Sequence, residues 1–291
     1  MTVQDVGQNG QVLLVRSDNT AGVRGRMSPV DEERELTLYD WSPVVDMSAD
    51  GRSLLFDAQR IGGRSGNTAY VRGMDGSPPV RLGDGMARSL SPDGKWALVL
   101  RGSPHRLVLL PTGVGDSIAV PRGKIDRYNG TGWLPDGKSI VVDASEPGHE
   151  HCTYIQDLAG GLPRPITPEG IAGTAVSPDG RFVAAVSPDG RLYVCPTNGA
   201  SPRLVTELHG EDPVHWTPDG RALVTVRLTG ARASLSRVEL GTGRTVPWRT
   251  YSMPDSAGAF LGGIVLSPNA PSYAYTYFRF LQVMYLVDGL K

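Results

Sequence analysis

Short runs of consecutive apolar residues recur along the chain, each opened by a turn and closed by a polar or glycine-rich break. They include Leu54-Leu55-Phe56, Trp96 to Leu100, Ile140-Val141-Val142, Phe182 to Val186 and Ala222 to Val226. Apolar residues at successive positions predict strands buried on both faces. A second run follows each, as in Ala69-Tyr70-Val71-Arg72, Leu107 to Leu110, Thr153-Tyr154-Ile155 and Leu192-Tyr193-Val194. A glycine-rich break then leads to Val80-Arg81-Leu82 or Pro165-Ile166-Thr167. With the strand ahead of each turn, the unit is four short strands and a return, which is one propeller blade.

The turn ahead of each apolar run reads S-P-D-G or a close variant. Clear copies are Ser91-Pro92-Asp93-Gly94, Ser177-Pro178-Asp179-Gly180 and Thr217-Pro218-Asp219-Gly220. Ser48-Ala49-Asp50-Gly51 and Leu134-Pro135-Asp136-Gly137 differ at one place, and Gly7-Gln8-Asn9-Gly10 and Ser267-Pro268-Asn269-Ala270 are degraded copies at the ends. The last turn residues fall at 10, 51, 94, 137, 180, 220 and 270, a period near 43. Such a period with several strands per unit marks propeller blades. Ser187-Pro188-Asp189-Gly190 lies ten residues after its predecessor and reads as the next hairpin within the same blade. Proline sets the second position of a type I turn, aspartate suits the third, and glycine takes the left-handed conformation that closes a bulged hairpin. Nothing in the turn needs a ligand.

The pattern predicts one all-β domain over 1–291, a β-propeller of seven blades with four antiparallel strands each. The blades start near 2, 44, 87, 130, 173, 213 and 263. The last is expected to have three strands: an inner one near Ile264, then Ser272 to Phe278, then Gln282 to Val287. Thr2 to Val6 is expected as the innermost strand of the first blade, too close to the start to complete the seventh. The ring would then close by side-chain packing alone, with Met284 and Leu286 on an open edge, as expected of a chain derived from a longer protein.

Two columns precede the turns. The nearer, Val6, Met47, Leu90, Trp133, Val176, Trp216 and Leu266, is apolar throughout and is expected to pack between blades. The next, Asp5, Asp46, Ser89, Gly132, Ala175, His215 and Val265, is small or polar in most copies. Alternate strand residues face opposite ways, so its polar members Asp5, Asp46, Ser89 and His215 are candidates for channel-lining groups. The alternative is that they satisfy local backbone bonds.

These repeats resemble the TolB-like, WD-type propeller family, whose hallmark is S-P-D-G-[KR] before a hydrophobic strand. Three further stretches resemble the propeller behind bacterial eukaryotic-type serine/threonine protein kinases: Trp133 to Lys138, Glu146-Pro147-Gly148-His149, and Pro163 to Gly170. The ending Ser272 to Tyr277 and Met284 to Lys291 does too. That resemblance implies a sensor or protein-interaction region, either part of a longer receptor-type kinase or a stand-alone relative. It implies no kinase activity here, because no glycine-rich loop, V-A-I-K, H-R-D or D-F-G is present.

Composition narrows the function classes. The 37 glycines and 23 prolines suit many tight turns. A net charge of −1 gives no basic field to hold nucleic acid. No apolar run approaches the roughly 20 residues of a membrane helix, and residues 1–10 lack the features of a signal peptide. The compartment is left open: cytoplasmic, or extracytoplasmic as part of a longer receptor. Cys152 and Cys195 form no C-x-x-C pair.

No G-x-S-x-G elbow and no H-E-x-x-H occur. The one metal-like cluster is His149, Glu150 and His151, with Cys152 following. On an extended chain the two histidines would point the same way and share a metal; the alternative is a solvated loop. Tyr273, Tyr275 and Tyr277 alternate onto one strand face, either as interface anchors or as packing against the neighbouring blade. The reading that results is a non-catalytic scaffold binding a protein partner or a small ligand, without a cofactor. The rival is an enzyme or metal-binding propeller that uses channel or loop residues.

Overall fold

In four of the repeats the turn is tied by its own side chains before it joins two strands. Ser91 Oγ donates to Asp93 Oδ1 at 2.6 Å and accepts the amide of Trp96 at 3.0 Å, while Asp93 Oδ1 accepts the amide of Lys95. The same bonds recur at Ser48/Asp50, Ser177/Asp179 and Thr217/Asp219. The closing glycines have φ of 71° (Gly51), 69° (Gly94), 66° (Gly137), 71° (Gly180) and 68° (Gly220), as the turn type requires.

The computed structural model describes residues 2–7, 11–39, 41–59, 66–268 and 271–288. The chain opens with β1 (Thr2–Val6), β2 (Val12–Arg26) and β3 (Arg34–Glu35). Five four-stranded antiparallel blades follow. Blade I is β4 (Val44–Met47), β5 (Ser53–Gln59), β6 (Asn67–Gly73) and β7 (Val80–Asp84); blade II is β8 (Met86–Leu90), β9 (Trp96–Arg101), β10 (Arg106–Pro111) and β11 (Ile118–Ala119). Blade III is β12 (Arg127–Trp133), β13 (Ser139–Ser145), β14 (Cys152–Asp157) and β15 (Arg164–Pro165). Blade IV is β16 (Ala172–Val176), β17 (Phe182–Val186), β18 (Arg191–Pro196) and β19 (Arg203–Glu207). Blade V is β20 (Asp212–Trp216), β21 (Ala222–Thr229), β22 (Arg232–Glu239) and β23 (Thr245–Ser252). The chain ends with β24 (Ala259–Leu266) and β25 (Tyr273–Val287).

The sixth blade corrects the expected count. The two ends of the chain form one sheet of order β1-β2-β25-β24, with β3 also on β2. The expected first and seventh blades are therefore one composite blade, and the propeller has six. Thr2–Val6 is an outer strand, not the innermost strand of a blade. The expected break between Phe278 and Gln282 is absent: β25 runs unbroken for 15 residues, paired with β2 from Arg26↔Tyr273 to Val12↔Val287. The ring thus closes through backbone hydrogen bonds, against the expectation of side-chain packing alone. No turn residue interrupts Tyr277-Phe278-Arg279-Phe280-Leu281, so nothing favours a reversal there. The degraded motif at 7–10 lies largely outside the described residues.

Side chains reinforce the closure. Tyr273 and Tyr275 are buried and donate their hydroxyls to Glu33 Oε1 and Oε2 at 2.7 and 3.0 Å. Val44 N–H donates to Thr276 Oγ1 at 3.0 Å, joining blade I to the composite blade.

The core is divided among the blade junctions. Met47, Leu54, Phe56, Val23 and Ala274 fill one between the composite blade and blade I. Leu55, Leu90 and Val99 fill the next, and Leu98, Trp133, Ile140 and Tyr154 the one after. Val141 and Val183 meet between blades III and IV, Ala184, Trp216 and Leu223 between IV and V, and Val224, Leu261 and Tyr273 between V and the composite blade. The apolar column ahead of the turns supplies a residue to every junction. Its one exception is Val6, 62% exposed in β1.

Candidate functional site

The six inner strands β4, β8, β12, β16, β20 and β24 surround a central cavity of about 750 Å³. Each carries a register irregularity close to its turn: Val44/Asp46, Ala87/Ser89, Tyr128/Gly130, Ala172/Ala175, Pro213/His215 and Leu261/Gly263. A bulge places two strand residues against one partner and re-aims their side chains. Strict alternation therefore fails here, and residues from two adjacent columns line the cavity, Val45 and Asp46 in β4 and Arg88 and Ser89 in β8 among them.

Asp46, Ser89 and His215 all line this cavity, but two of them are occupied with blade joints. Asp46 Oδ1 accepts the amide of Met47 at 2.8 Å, and Oδ2 accepts that of Leu90 in blade II at 2.7 Å. Burial pushes its carboxyl up to about 6, against the lowering effect of the Leu90 and Met47 amides. Ser89 Oγ lies 2.7 Å from Thr131 Oγ1 in blade III. His215 Nδ1–H donates to the carbonyl of Trp216 at 2.7 Å, and its buried Nε2 has no partner among the described residues. Burial lowers its pKa, and the neutral ring presents Nε2 as an acceptor.

Asp5 is not a channel residue. It sits exposed in β1 and accepts the amide of Val6 at 2.8 Å. It copies the local bond of Asp46, but on a strand at the outside of the composite blade.

His149, Glu150 and His151 do not converge. They lie in the turn between β13 and β14, not on an extended strand, so the two rings diverge. His149 Nδ1 meets Glu169 Oε1 at 2.7 Å, whereas His151 Nδ1 lies 3.1 Å from Asp143 Oδ1 and 2.9 Å from Asn129. Glu150 offers its backbone amide to Glu169 Oε2 at 3.4 Å. Among the described residues no group of three or more His, Cys, Asp or Glu side chains could hold a metal ion. Cys152 and Cys195 are buried free thiols.

Two features escaped the sequence reading. In the column one step further from the turn, Arg88, Thr131 and Thr174 on consecutive blades face the cavity, opposite Val214, Ile264 and Val45. The arginine, alone among the charged residues of that column, was the available signal. The second feature is a ribbon. Beyond Phe280, β25 leaves β24 and pairs only with β2, which in turn carries β1. This three-stranded extension exposes Val3, Val6, Leu281, Val283, Met284, Tyr285 and Leu286, with Met284 at 69% and Leu286 at 63%. It has two open edges, β1 on one side and Leu281 to Val287 on the other.

No protein-family model matches the chain, and no curated protein does. Solved structures do match. A protein of Agrobacterium tumefaciens assigned as TolB is 18% identical, over 91% of this chain and 100% of its own, with a TM-score of 0.66. TolB from Acinetobacter baumannii is 16% identical, over 82% of this chain and 65% of its own, with a TM-score of 0.53. An oligogalacturonate lyase in complex with manganese is 17% identical, over 90% of this chain and 83% of its own, also at 0.53. At such identities the likeness is one of fold: the chain is an all-β, six-bladed propeller similar in architecture to TolB.

Proposed function

We propose that the chain is a non-catalytic scaffold that binds a protein partner through the ribbon of β1, β2 and β25. One observation carries the reading: the β25 strand of the ribbon is apolar on both faces, and the ribbon has open backbone edges. Leu281, Val283 and Tyr285 alternate with Phe280, Met284 and Leu286, and all six are exposed. A contiguous exposed apolar surface with unpaired N–H and C=O groups suits a partner that adds a strand, with backbone bonds for affinity and side-chain pockets for specificity. The sequence likeness to kinase-associated propellers fits an interaction or sensor role. The rival reading, an enzyme or metal-binding propeller, draws on the fold likeness to a manganese-bound lyase. His149 and His151 meet separate carboxylates, and among the described residues no group of three or more His, Cys, Asp or Glu could hold a metal ion.

A photoreactive residue at position 284, introduced into the chain in its natural host, tests the proposal. One discrete adduct of defined mass is expected there, and none from the fully exposed Val114 on blade II. Absence of an adduct at 284, or the same adducts at both positions, contradicts it.

A further inference from the structure

We infer that the central cavity is a binding site for a small aliphatic carboxylate, held by Arg88 at one wall and by an apolar arc at the other. Arg88 is an arginine whose donors are poorly used. Arg88 lies on the bulge of β8, partly buried, among residues lining the cavity. Among the described residues its only side-chain hydrogen bond runs from Nη2 to Met86 Sδ at 2.9 Å, a weak acceptor. Its Nε is buried without a protein partner, and among the described residues it has no ion pair. Asp57 is its electrostatic neighbour but is otherwise engaged: its Oδ2 accepts Asn67 Nδ2 at 2.6 Å and its Oδ1 the amide of Ala87 at 3.2 Å. A planar guanidinium with unused donors in a partly desolvated wall is suited to pairing with a carboxylate in two parallel bonds.

The rest of the ring sets the shape of the ligand. Thr131 and Thr174 continue the polar arc over the next two blades. Thr131 Oγ1 shares one bond with Ser89, and Thr174 lines the cavity beside it. Val214, Ile264 and Val45 complete the circle and offer only hydrocarbon. The other ionisable groups on the lining are Asp46, Asp212 and His215. The Asp46 oxygens are held by two amides, His215 is uncharged, and Asp212 is exposed at the end of β20. Arg88 is therefore the one cation in the cavity wall among the described residues. A volume of about 750 Å³ accommodates a small organic acid, whose carboxylate meets Arg88 and whose chain lies on the valine–isoleucine arc.

The site is separate from the ribbon, so the test distinguishes the two. Hexanoate is titrated into the intact protein by calorimetry and by amide chemical shifts, with hexanamide as its uncharged equivalent. Hexanoate is expected to bind and to shift residues of the inner strands, and hexanamide to bind about tenfold more weakly or less, because charge-assisted bonds exceed neutral ones by that margin. Arg88→Met is expected to lose about tenfold or more for hexanoate, and Arg88→Lys, which keeps a cation near Asp57 but not the planar fork, to lose less. Thr174→Val is expected to lose a few-fold. Met284→Lys with Leu286→Lys is expected to leave hexanoate binding unchanged. No detectable hexanoate binding, equal binding of hexanamide, full affinity in Arg88→Met, or loss of binding in the ribbon variant would each overturn the assignment. If Arg88→Met fails to fold, the hexanoate–hexanamide comparison on the unaltered protein decides the matter alone.

Discussion

Asp46 of blade I accepts, through Oδ2, the backbone N–H of Leu90 in blade II at 2.7 Å. A carboxylate at the rim of the channel is thus the joint between two sheets that share no backbone ladder. Comparable ties cross other junctions: Ser89 to Thr131, Trp216 Nε1 to the carbonyl of Ala175 at 2.8 Å, and Ser267 Oγ to that of Ala49 at 2.8 Å. Apolar packing fills each junction, and these bonds tie neighbouring blades at defined atoms.

Asp46→Ala leaves two amides without their acceptor. The expected cost is about 1–3 kcal/mol, the penalty for stranding buried donors. Equilibrium denaturation measures it, and a change below about 0.5 kcal/mol would contradict the joint.

The same carboxyl carries a pH signature. Its folded-state pKa, about 6, lies above the ordinary 3.8. A raised acid binds its proton more tightly when folded, so its contribution is present in full below about 3.8 and lost as pH rises through about 6. Relative to Asp46→Asn, the unaltered protein should gain stability as pH falls from 7 to 4. The turn aspartates act in the opposite sense. Hydrogen bonds from Ser91, Ser177 and Thr217 hold Asp93, Asp179 and Asp219 below 3.8, and their stabilisation is lost only as pH falls through that lower range. Denaturation of both proteins across this window checks the sign; a difference independent of pH would contradict it.

Gly137 stands at φ 66°, and a β-carbon there would touch nothing. Any loss on substitution is therefore backbone strain alone. Gly137→Val should cost about 1 kcal/mol or more; an unchanged melting temperature would contradict the turn.

The repeat, its turns and the left-handed glycines were legible because they are local: Ser91, Asp93 and Gly94 satisfy one another within a few residues. The blade count was not, because a motif period counts inner turns and cannot show that β2 and β25, more than two hundred residues apart, share a sheet. The channel column was half legible. Alternation pointed to Asp46, Ser89 and His215, but the bulge in each inner strand also turned Arg88, Thr131 and Thr174 inward. His149 and His151 misled for a related reason, since the two-residue period holds only on a strand and they lie in a turn.

Ring closure by β2 has its own test. Val23 is fully buried at the junction of the composite blade with blade I, whereas Val3 in the ribbon is 58% exposed. Val23→Ala should cost about 1–3 kcal/mol through lost burial and the cavity left behind, and Val3→Ala about 0.5 kcal/mol or less. Equal effects would mean that β2 is not part of the closed ring.

The central claim, that the ribbon binds a partner, rests on the exposed Met284 and Leu286. The most direct measurement is the affinity of the partner captured at position 284 for the unaltered chain and for Met284→Lys with Leu286→Lys, alongside their melting temperatures. Two lysines on the open edge should weaken binding by about tenfold or more, by removing buried apolar contact and adding charge, while the melting temperature stays within a few degrees. Equal affinity for both chains, at equal stability, would contradict the account.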